Sequence, residues 1–262
     1  MIHIKTSQDI VDMRLGGRIL ASVLKEVKAF VREGVTTLEL DSLAEKLIRE
    51  AGCVPAFKGY QSEKSDPPFP GTLCTSINNE VVHAIPSKKR VLKDGDIIGL
   101  DIGLSYQGKE RSYILDLAET VAVGDVSDDV KKLLSATQQA LFAGIEQMQP
   151  GNSLEDVSKA ISKVLTDAKL GIVRDLCGHG VGYELHEDPY VLNYIPKAGY
   201  PQEIILKPGM VLALEPMATL GDYRVDVAKD GWTCVTHDQS WSAQFEHSVA
   251  ITQTGHIILT EL

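Results

Sequence analysis

Two stretches of this chain repeat the same pattern in the same order, and that constrains the fold more than any single motif. Leu92-Lys93-Asp94-Gly95 and Leu206-Lys207-Pro208-Gly209 each open an apolar strand that ends in an acid, Asp101 in the first and Glu215 in the second. A His-x-x-Pro lies upstream of each, His83 to Pro86 and His186 to Pro189. Further upstream, Gly34, Thr36, Glu39, Leu40, Leu43 and Ala44 align without a gap on Gly151, Ser153, Asp156, Val157, Ala160 and Ile161. Thr36 with Glu39 has capping-box spacing, and Ser153 with Asp156 imitates it. Apolar residues recur at three and four, so each segment reads as a helix with one buried face. The order helix, His-x-x-Pro, Leu-Lys-x-Gly, strand, acid predicts a duplicated half-domain with an approximate two-fold axis. Asp101 and Glu215 are then symmetry mates, as are His83 and His186. Motifs that converge on one axis belong in one catalytic domain, 1–262, internally duplicated at about 1–125 and 126–262.

The chemistry follows from five side chains in the order Asp101, Asp116, His179, Glu215, Glu246. The four acids sit in or beside apolar runs: Asp101 follows Ile97-Ile98-Gly99-Leu100, Asp116 follows Tyr113-Ile114-Leu115, Glu215 follows Val211-Leu212-Ala213-Leu214, and Glu246 precedes Val249-Ala250-Ile251. A single acid at a strand end reads equally well as a turn residue or a salt-bridge partner, and Lys109 and Arg111 lie close to Asp116 in sequence. Four buried carboxylates together are costly unless a cation relieves them. Two divalent cations would do so, with the imidazole as a further ligand. An axis that receives matching acids from both halves suits a pair of ions about 3.5–4 Å apart.

Bulk properties exclude several classes. The net charge of -10 argues against a nucleic-acid grip by the whole surface, and the basic run Lys88-Lys89-Arg90 reads as a solvated loop. Cys53, Cys74, Cys177 and Cys234 are scattered with no Cys-x-x-Cys pair, as expected of reduced thiols in a cytoplasmic protein. Met1-Ile2-His3-Ile4-Lys5 presents no apolar core and no cleavage site, and no stretch reads as a membrane span. Periodicity predicts helices over Ser7–Phe30 with Ser7 as N-cap, Thr36–Ala51, Asp128–Met148 and Ser153–Leu170. It predicts a strand over Leu73–Ala84 around the turn Asn78-Asn79, a long hairpin over Asp96–Val123, a loop over Gln61–Gly71, and strands and loops from Cys177 onward.

These residues carry a family resemblance. Ser76-Ile77-Asn78, Val82-His83-Ala84-Ile85-Pro86, Gly178-His179-Gly180-Val181-Gly182, His186-Glu187-Asp188-Pro189, Leu214-Glu215-Pro216-Met217, Asp230-Gly231-Trp232-Thr233 and Ser242-Ala243-Gln244-Phe245-Glu246-His247 occur in order, and the match spans nearly the whole chain. The chain resembles the type I, bacterial methionine aminopeptidases, metallopeptidases of the pita-bread fold. His186 and Glu215 are too close to hold the helical insertion of the type II class. The resemblance implies an α+β fold with two pseudo-symmetric halves, antiparallel sheets forming a central site, and helices on the outside. It implies metal ligands at Asp101, Asp116, His179, Glu215 and Glu246, holding two divalent ions of Mn, Fe, Co or Zn. It implies catalytic roles for His83, His186 and Glu215, and a substrate pocket at Tyr60, Cys74, His83, His186 and Trp232. The implied activity is removal of the N-terminal methionine from nascent proteins and peptides, preferably before a small second residue. The implied partners are nascent polypeptide N-termini and a transient ribosome contact, for a cytoplasmic monomer with no membrane and no specific nucleic acid. An Xaa-Pro aminopeptidase or prolidase is the rival enzyme, but those chains carry an extra N-terminal domain for which this chain has no room. A non-catalytic pita-bread binding module is the rival of another class.

The chain departs from the family in two places. The family's second ligand lies eleven residues after the first, which here is Ser112. The text Asp116-Leu117-Ala118-Glu119-Thr120-Val121 restores the expected order after an insertion of four residues. Four is even, so lengthening both strands keeps Asp116 on the face of Asp101. A second insertion lies at 61–68, beside the pocket, and Phe57, Phe69 and Leu185 replace other small or aromatic residues of its wall.

Overall fold

The computed structural model describes residues 1–61, 67–197 and 203–262. The helices are α1 (Ser7–Phe30), α2 (Thr37–Glu50), α3 (Asp128–Glu146) and α4 (Leu154–Asp167). The strands are β1 (Val54–Pro55), β2 (Leu73–Ile77), β3 (Glu80–Val82), β4 (Ile97–Gln107), β5 (Ser112–Ala122), β6 (Gly171–Ile172), β7 (Gly178–Gly180), β8 (Glu187–Val191), β9 (Val211–Leu214), β10 (Met217–Thr219), β11 (Val225–Val227), β12 (Cys234–Thr236), β13 (Ser242–Ile251) and β14 (His256–Ile258). An antiparallel sheet runs β1-β4-β5-β13-β9-β7-β8, so the pairing of β5 with β13 joins the first half of the chain to the second. A smaller sheet holds β11, β12 and β3. The loop expected at 61–71 is described only in part, since residues 62–66 lie outside the described residues.

The period-two pattern of the hairpin decides which side chains meet the helices. Leu100, Ile102, Leu104, Leu115 and Leu117 join the core formed with Leu20, Leu24 and Val27 of α1. Asp101, Asp116 and Ala118 therefore face the other way. α3 and α4 cover β9 and β13 through Leu141, Ile145, Ile161, Leu212 and Val249. Helices thus lie outside and the other sheet face looks inward.

The two halves repeat their hydrogen bonds as well as their words. Gly34 N donates to Leu92 O at 2.9 Å, and Gly151 N to Leu206 O at 3.0 Å. Gly95 N donates to Val123 O at 2.7 Å, and Gly209 N to Ile251 O at 2.9 Å. α2 and α4 both begin with capping boxes, Thr36 with Glu39 and Ser153 with Asp156. Both end with a residue of positive φ, Gly52 at 75° and Lys169 at 60°, followed by a bond back to the last turn.

The structure moves several expected boundaries; α3, for one, ends at Glu146 and not at Met148. The N-cap of α1 is Thr6, not Ser7: Asp9 N donates to Thr6 Oγ1 at 3.2 Å and Thr6 N donates to Asp9 Oδ2 at 2.7 Å. The acid three residues on selects Thr6. The segment Leu73–Ala84 turns at Asn78-Asn79 as expected, but its two arms join different sheets, β2 pairing β4 and β3 pairing β12. α4 stops at Asp167, because Lys169 turns left-handed before Leu170.

Candidate active site

One cross-strand row lays the floor of the site. Cys74 on β2 pairs Asp101 on β4, Asp101 pairs Ala118 on β5, and Ala118 pairs Glu246 on β13. Directly opposed residues share a face. Asp116, two residues from Ala118, shares it too. The next strand carries Glu215 just beyond β9, where Leu214 pairs His247, and His179 on β7 pairs Ala213. The single methyl of Ala118 leaves space in the middle of the row, and the carboxylates surround it.

All five side chains of the acid and imidazole series line one cavity of about 520 Å³, open on one side. Ligand atoms of Asp116, His179 and Glu246 lie within 4.8 Å of one another. His179 Nε2 lies 3.5 Å from Glu215 Oε1, and Gln244 Nε2 donates to Glu215 Oε2 at 3.2 Å. His179 Nδ1 lies 2.9 Å from the carbonyl of Gly180. A carbonyl can only accept, so Nδ1 carries the proton and the Nε2 lone pair points into the cluster of acids. Asp101 Oδ1 and Glu246 Oε1 are buried without a hydrogen-bond partner among the described residues.

The electrostatics are those of a site that wants cations. Burial, the larger cause, pushes Asp101 up to about 7. Burial and then the charge of neighbouring acids push Asp116, Glu215 and Glu246 well above the carboxylate range. Burial lowers His179 to about 3 and His83 to about 4, each with help from His186, and lowers His186 as well. Among the described residues the cavity lining holds no Lys or Arg. Arg111 lies 4.5 Å over the ring of Tyr183, and neither Lys109 nor Arg111 is among the groups that shift Asp116.

Every residue expected at the substrate pocket lines the same cavity: Tyr60, Cys74, His83, His186 and Trp232, with Phe57, Phe69 and Leu185 beside them. His83 has φ of 60°, an uncommon conformation for a residue with a side chain. Tyr60 Oη lies 2.6 Å from His186 Nδ1. Trp232 meets Phe69 edge to face at 5.4 Å, and its indole N–H donates to the carbonyl of Pro67 at 3.1 Å. The acids and histidines thus form a polar floor against an apolar wall.

Ser112 lies elsewhere. It is exposed at the hairpin tip and donates to Gln107 Oε1 at 2.9 Å. His247 points to the opposite sheet face, where it bonds Thr260 Oγ1 at 2.9 Å and approaches the ring of Phe142. Sequence reasoning missed Ala118 and Gln244. Each sits two residues from a carboxylate of its own strand, Asp116 and Glu246, which is the signal that could have found them.

A family model, metallopeptidase family M24, matches residues 11–253. Methionine aminopeptidase 1 of Bacillus subtilis is 45% identical over 262 residues, covering 100% of both chains. The crystal structure of a methionine aminopeptidase from Thermotoga maritima superposes with a TM-score of 0.92 at 40% identity, covering 100% of both chains. A prolidase from Pyrococcus furiosus has a TM-score of 0.74 at 21% identity and is covered over 65% of its length, a likeness of fold alone.

Proposed function

The chain belongs to metallopeptidase family M24, and from that premise we propose that it is a methionine aminopeptidase, removing N-terminal methionine from nascent proteins and peptides, preferably before a small second residue. The observation that carries this reading is the single cavity in which four carboxylates and an imidazole face an apolar wall. A relative named for this activity, 45% identical over the full length, supports it. The pita-bread fold is that of its family.

The residues fit divalent cations. The unpartnered oxygens of Asp101 and Glu246, the mutually raised acids and the lone pair of His179 are the donor set that divalent cations require. Asp101, Asp116, His179, Glu215 and Glu246 would hold two ions, and one nitrogen among oxygens suits Mn(II), Fe(II), Co(II) or Zn(II). Bound there, the ions supply Lewis acidity for the scissile carbonyl and the attacking water. Glu215 takes a proton from that water, oriented by Gln244. His186 donates a hydrogen bond to the carbonyl oxygen as charge develops on it. His83 contacts the nitrogen after the cleaved bond and helps the amine leave. Tyr60, Cys74 and Trp232 enclose the methionine side chain.

The repeated capping boxes and turn hydrogen bonds support descent of the halves, about 1–125 and 126–262, from one duplicated unit. No helix among the described residues is long and apolar enough to cross a membrane. We place the protein in the cytoplasm as a monomer that meets nascent chains through a transient ribosome contact.

Peptide release from Met-Ala, Met-Leu and Ala-Pro starts, with and without each metal, tests the reading. Metal-dependent release from Met-Ala above Met-Leu is expected. Cleavage of Ala-Pro alone would point to the prolidase reading, and no stoichiometric metal binding would point to the non-catalytic one.

A further inference from the structure

His179 and His186 sit side by side, their rings 4.5 Å apart, yet their Nδ1 atoms meet different partners. That of His179 meets a backbone carbonyl, which fixes the proton on Nδ1. That of His186 meets the phenol of Tyr60 at 2.6 Å. A hydroxyl can donate or accept, so the pairing permits either tautomer of His186. The cavity decides between them. No hydrogen bond among the described residues uses His186 Nε2, and the side chain lines a cavity containing four carboxylates. Unlike His179, His186 is not in the cluster of Asp116, His179 and Glu246 that could share an ion, so a lone pair on its Nε2 would meet no cation. A proton there gives those carboxylates, or a substrate carbonyl, a donor.

We propose that Tyr60 is a positioning residue that fixes the tautomer of His186, its hydroxyl donating to Nδ1 so that Nε2 carries the proton offered to the substrate carbonyl. This rests on the methionine aminopeptidase reading and assigns Tyr60 a task beyond forming the pocket wall. The backbone holds the phenol in place. Tyr60 N donates to Phe57 O at 2.9 Å, Phe69 N to Tyr60 O at 2.8 Å, and Gly59 N to Phe69 O at 2.8 Å. These bonds tie Tyr60 to Phe57 on one side and to Phe69 on the other. His186 is held from the other half of the chain, where Glu187 accepts from the backbone N–H groups of Tyr183 at 2.6 Å and Glu184 at 3.1 Å. Two anchored elements thus meet in one hydrogen bond. Neighbouring histidines acquire opposite roles from their Nδ1 partners: the carbonyl leaves His179 a lone pair, and the hydroxyl leaves His186 a donor.

The test is Tyr60→Phe, which keeps the ring and removes only the hydroxyl. Long-range ¹⁵N–¹H spectra of histidine-labelled protein, with and without diamagnetic Zn(II), report the tautomer independently of turnover. The wild type should show an unprotonated Nδ1 and a protonated Nε2 at His186, and Tyr60→Phe should populate both tautomers. On a Met-Ala peptide, kcat should fall about three- to tenfold, the loss of one neutral hydrogen bond's worth of organisation. KM should stay within about twofold, because the pocket wall is intact. In a His186→Ala background, Tyr60→Phe should have no further effect on kcat. A protonated Nδ1 in the wild type overturns the proposal. So does a tautomer that survives Tyr60→Phe, an unchanged kcat, or an equal loss in the His186→Ala background. A wild type that cleaves no methionyl peptide would instead sink the proposed function, with the tautomer still read from the spectra.

Discussion

Asp101 and Glu246 stand opposite the same residue, Ala118, from strands on either side of β5, and each keeps one carboxylate oxygen without a hydrogen-bond partner among the described residues. Two strand spacings, roughly 9–10 Å of backbone, separate them. Their side chains reach over one methyl group from opposite sides. A larger residue at 118 would fill the space where the acids converge. The row therefore couples a sheet register to a charge problem that the protein atoms alone leave unsolved.

That charge problem makes the metal-free protein sensitive to pH in a defined direction. Burial raises the folded-state pKa of Asp101 to about 7, and burial with neighbouring acids raises Asp116, Glu215 and Glu246 well above the usual carboxylate range. A raised acid contributes stability below its unfolded value and loses it as pH rises through the folded value. The buried His83, His179 and His247 are depressed to about 4, 3 and 4, and they oppose this trend below about 6.5, where unfolded histidines begin to charge. Above about 6.5 the acids act alone. Thermal unfolding of chelated protein should show Tm falling from pH 6.5 to 9. Added Mn(II) or Co(II) should restore Tm, and more so at the higher pH, because ions compete with protons for the same oxygens. A flat or rising Tm in chelator would contradict the site electrostatics.

Glu215→Gln should leave the fold intact and reduce turnover on Met-Ala by roughly 10²–10⁴ through loss of the proton acceptor. Weaker ion binding would deepen the loss. Gln244 keeps a partner, since the new amide oxygen can still accept from its Nε2. Near wild-type kcat at saturating metal would remove Glu215 from the mechanism.

Lys5 and Glu187 form a buried ion pair, with both side chains at most 2% exposed. Burial draws the Lys5 ammonium below its usual range, against the pull of Glu187. Glu187 also holds the backbone of the turn leading to His186. Lys5→Met strands a buried carboxylate and should cost about 3–5 kcal/mol in urea unfolding. Adding Glu187→Gln should recover part of that loss, since the neutral amide still accepts from Tyr183 N. Strictly additive costs would mean that the pair is not coupled.

The sequence made the ligand series legible because each acid interrupts an apolar strand at a position that period-two geometry can place. The duplicated helix caps were legible because Thr36 with Glu39, and Ser153 with Asp156, are local. The Thr6 cap of α1 obeys the same local rule, since Asp9 lies three residues on, and the expectation of Ser7 neglected that rule. What stayed hidden is long-range. Tyr60 and His186 are 126 residues apart, and Lys5 and Glu187 are 182 apart. The separation of β2 and β3 into different sheets depends on β12, which no local pattern near residue 80 announces.

The hairpin gives the sharpest test, because the choice of Asp116 over Ser112 rests on it. Gly103 pairs Asp116 and Asp101 pairs Ala118, so Asp101 and Asp116 share a face at adjacent positions of that face. The register continues without a slip to Gln107 opposite Ser112, so an even insertion here would lengthen both strands together. The hairpin tip docks elsewhere: Lys109 N donates to Asp12 Oδ2 at 2.9 Å, and Tyr113 Oη donates to Asp9 Oδ1 at 2.5 Å. Even parity preserves the face of Asp116, and the tip contacts hold the hairpin against α1. Asp116→Ala should remove metal and activity together, because His179 and Glu246 lose the third member of their cluster. Ser112→Ala should change stability by no more than about 0.5 kcal/mol and leave metal content unchanged, as expected for an exposed hydroxyl whose partner is Gln107. Metal content by elemental analysis, read beside Met-Ala turnover for both variants, decides the matter. An inactive Ser112→Ala beside an active Asp116→Ala would falsify the assignment of Asp116 and reopen the non-catalytic reading.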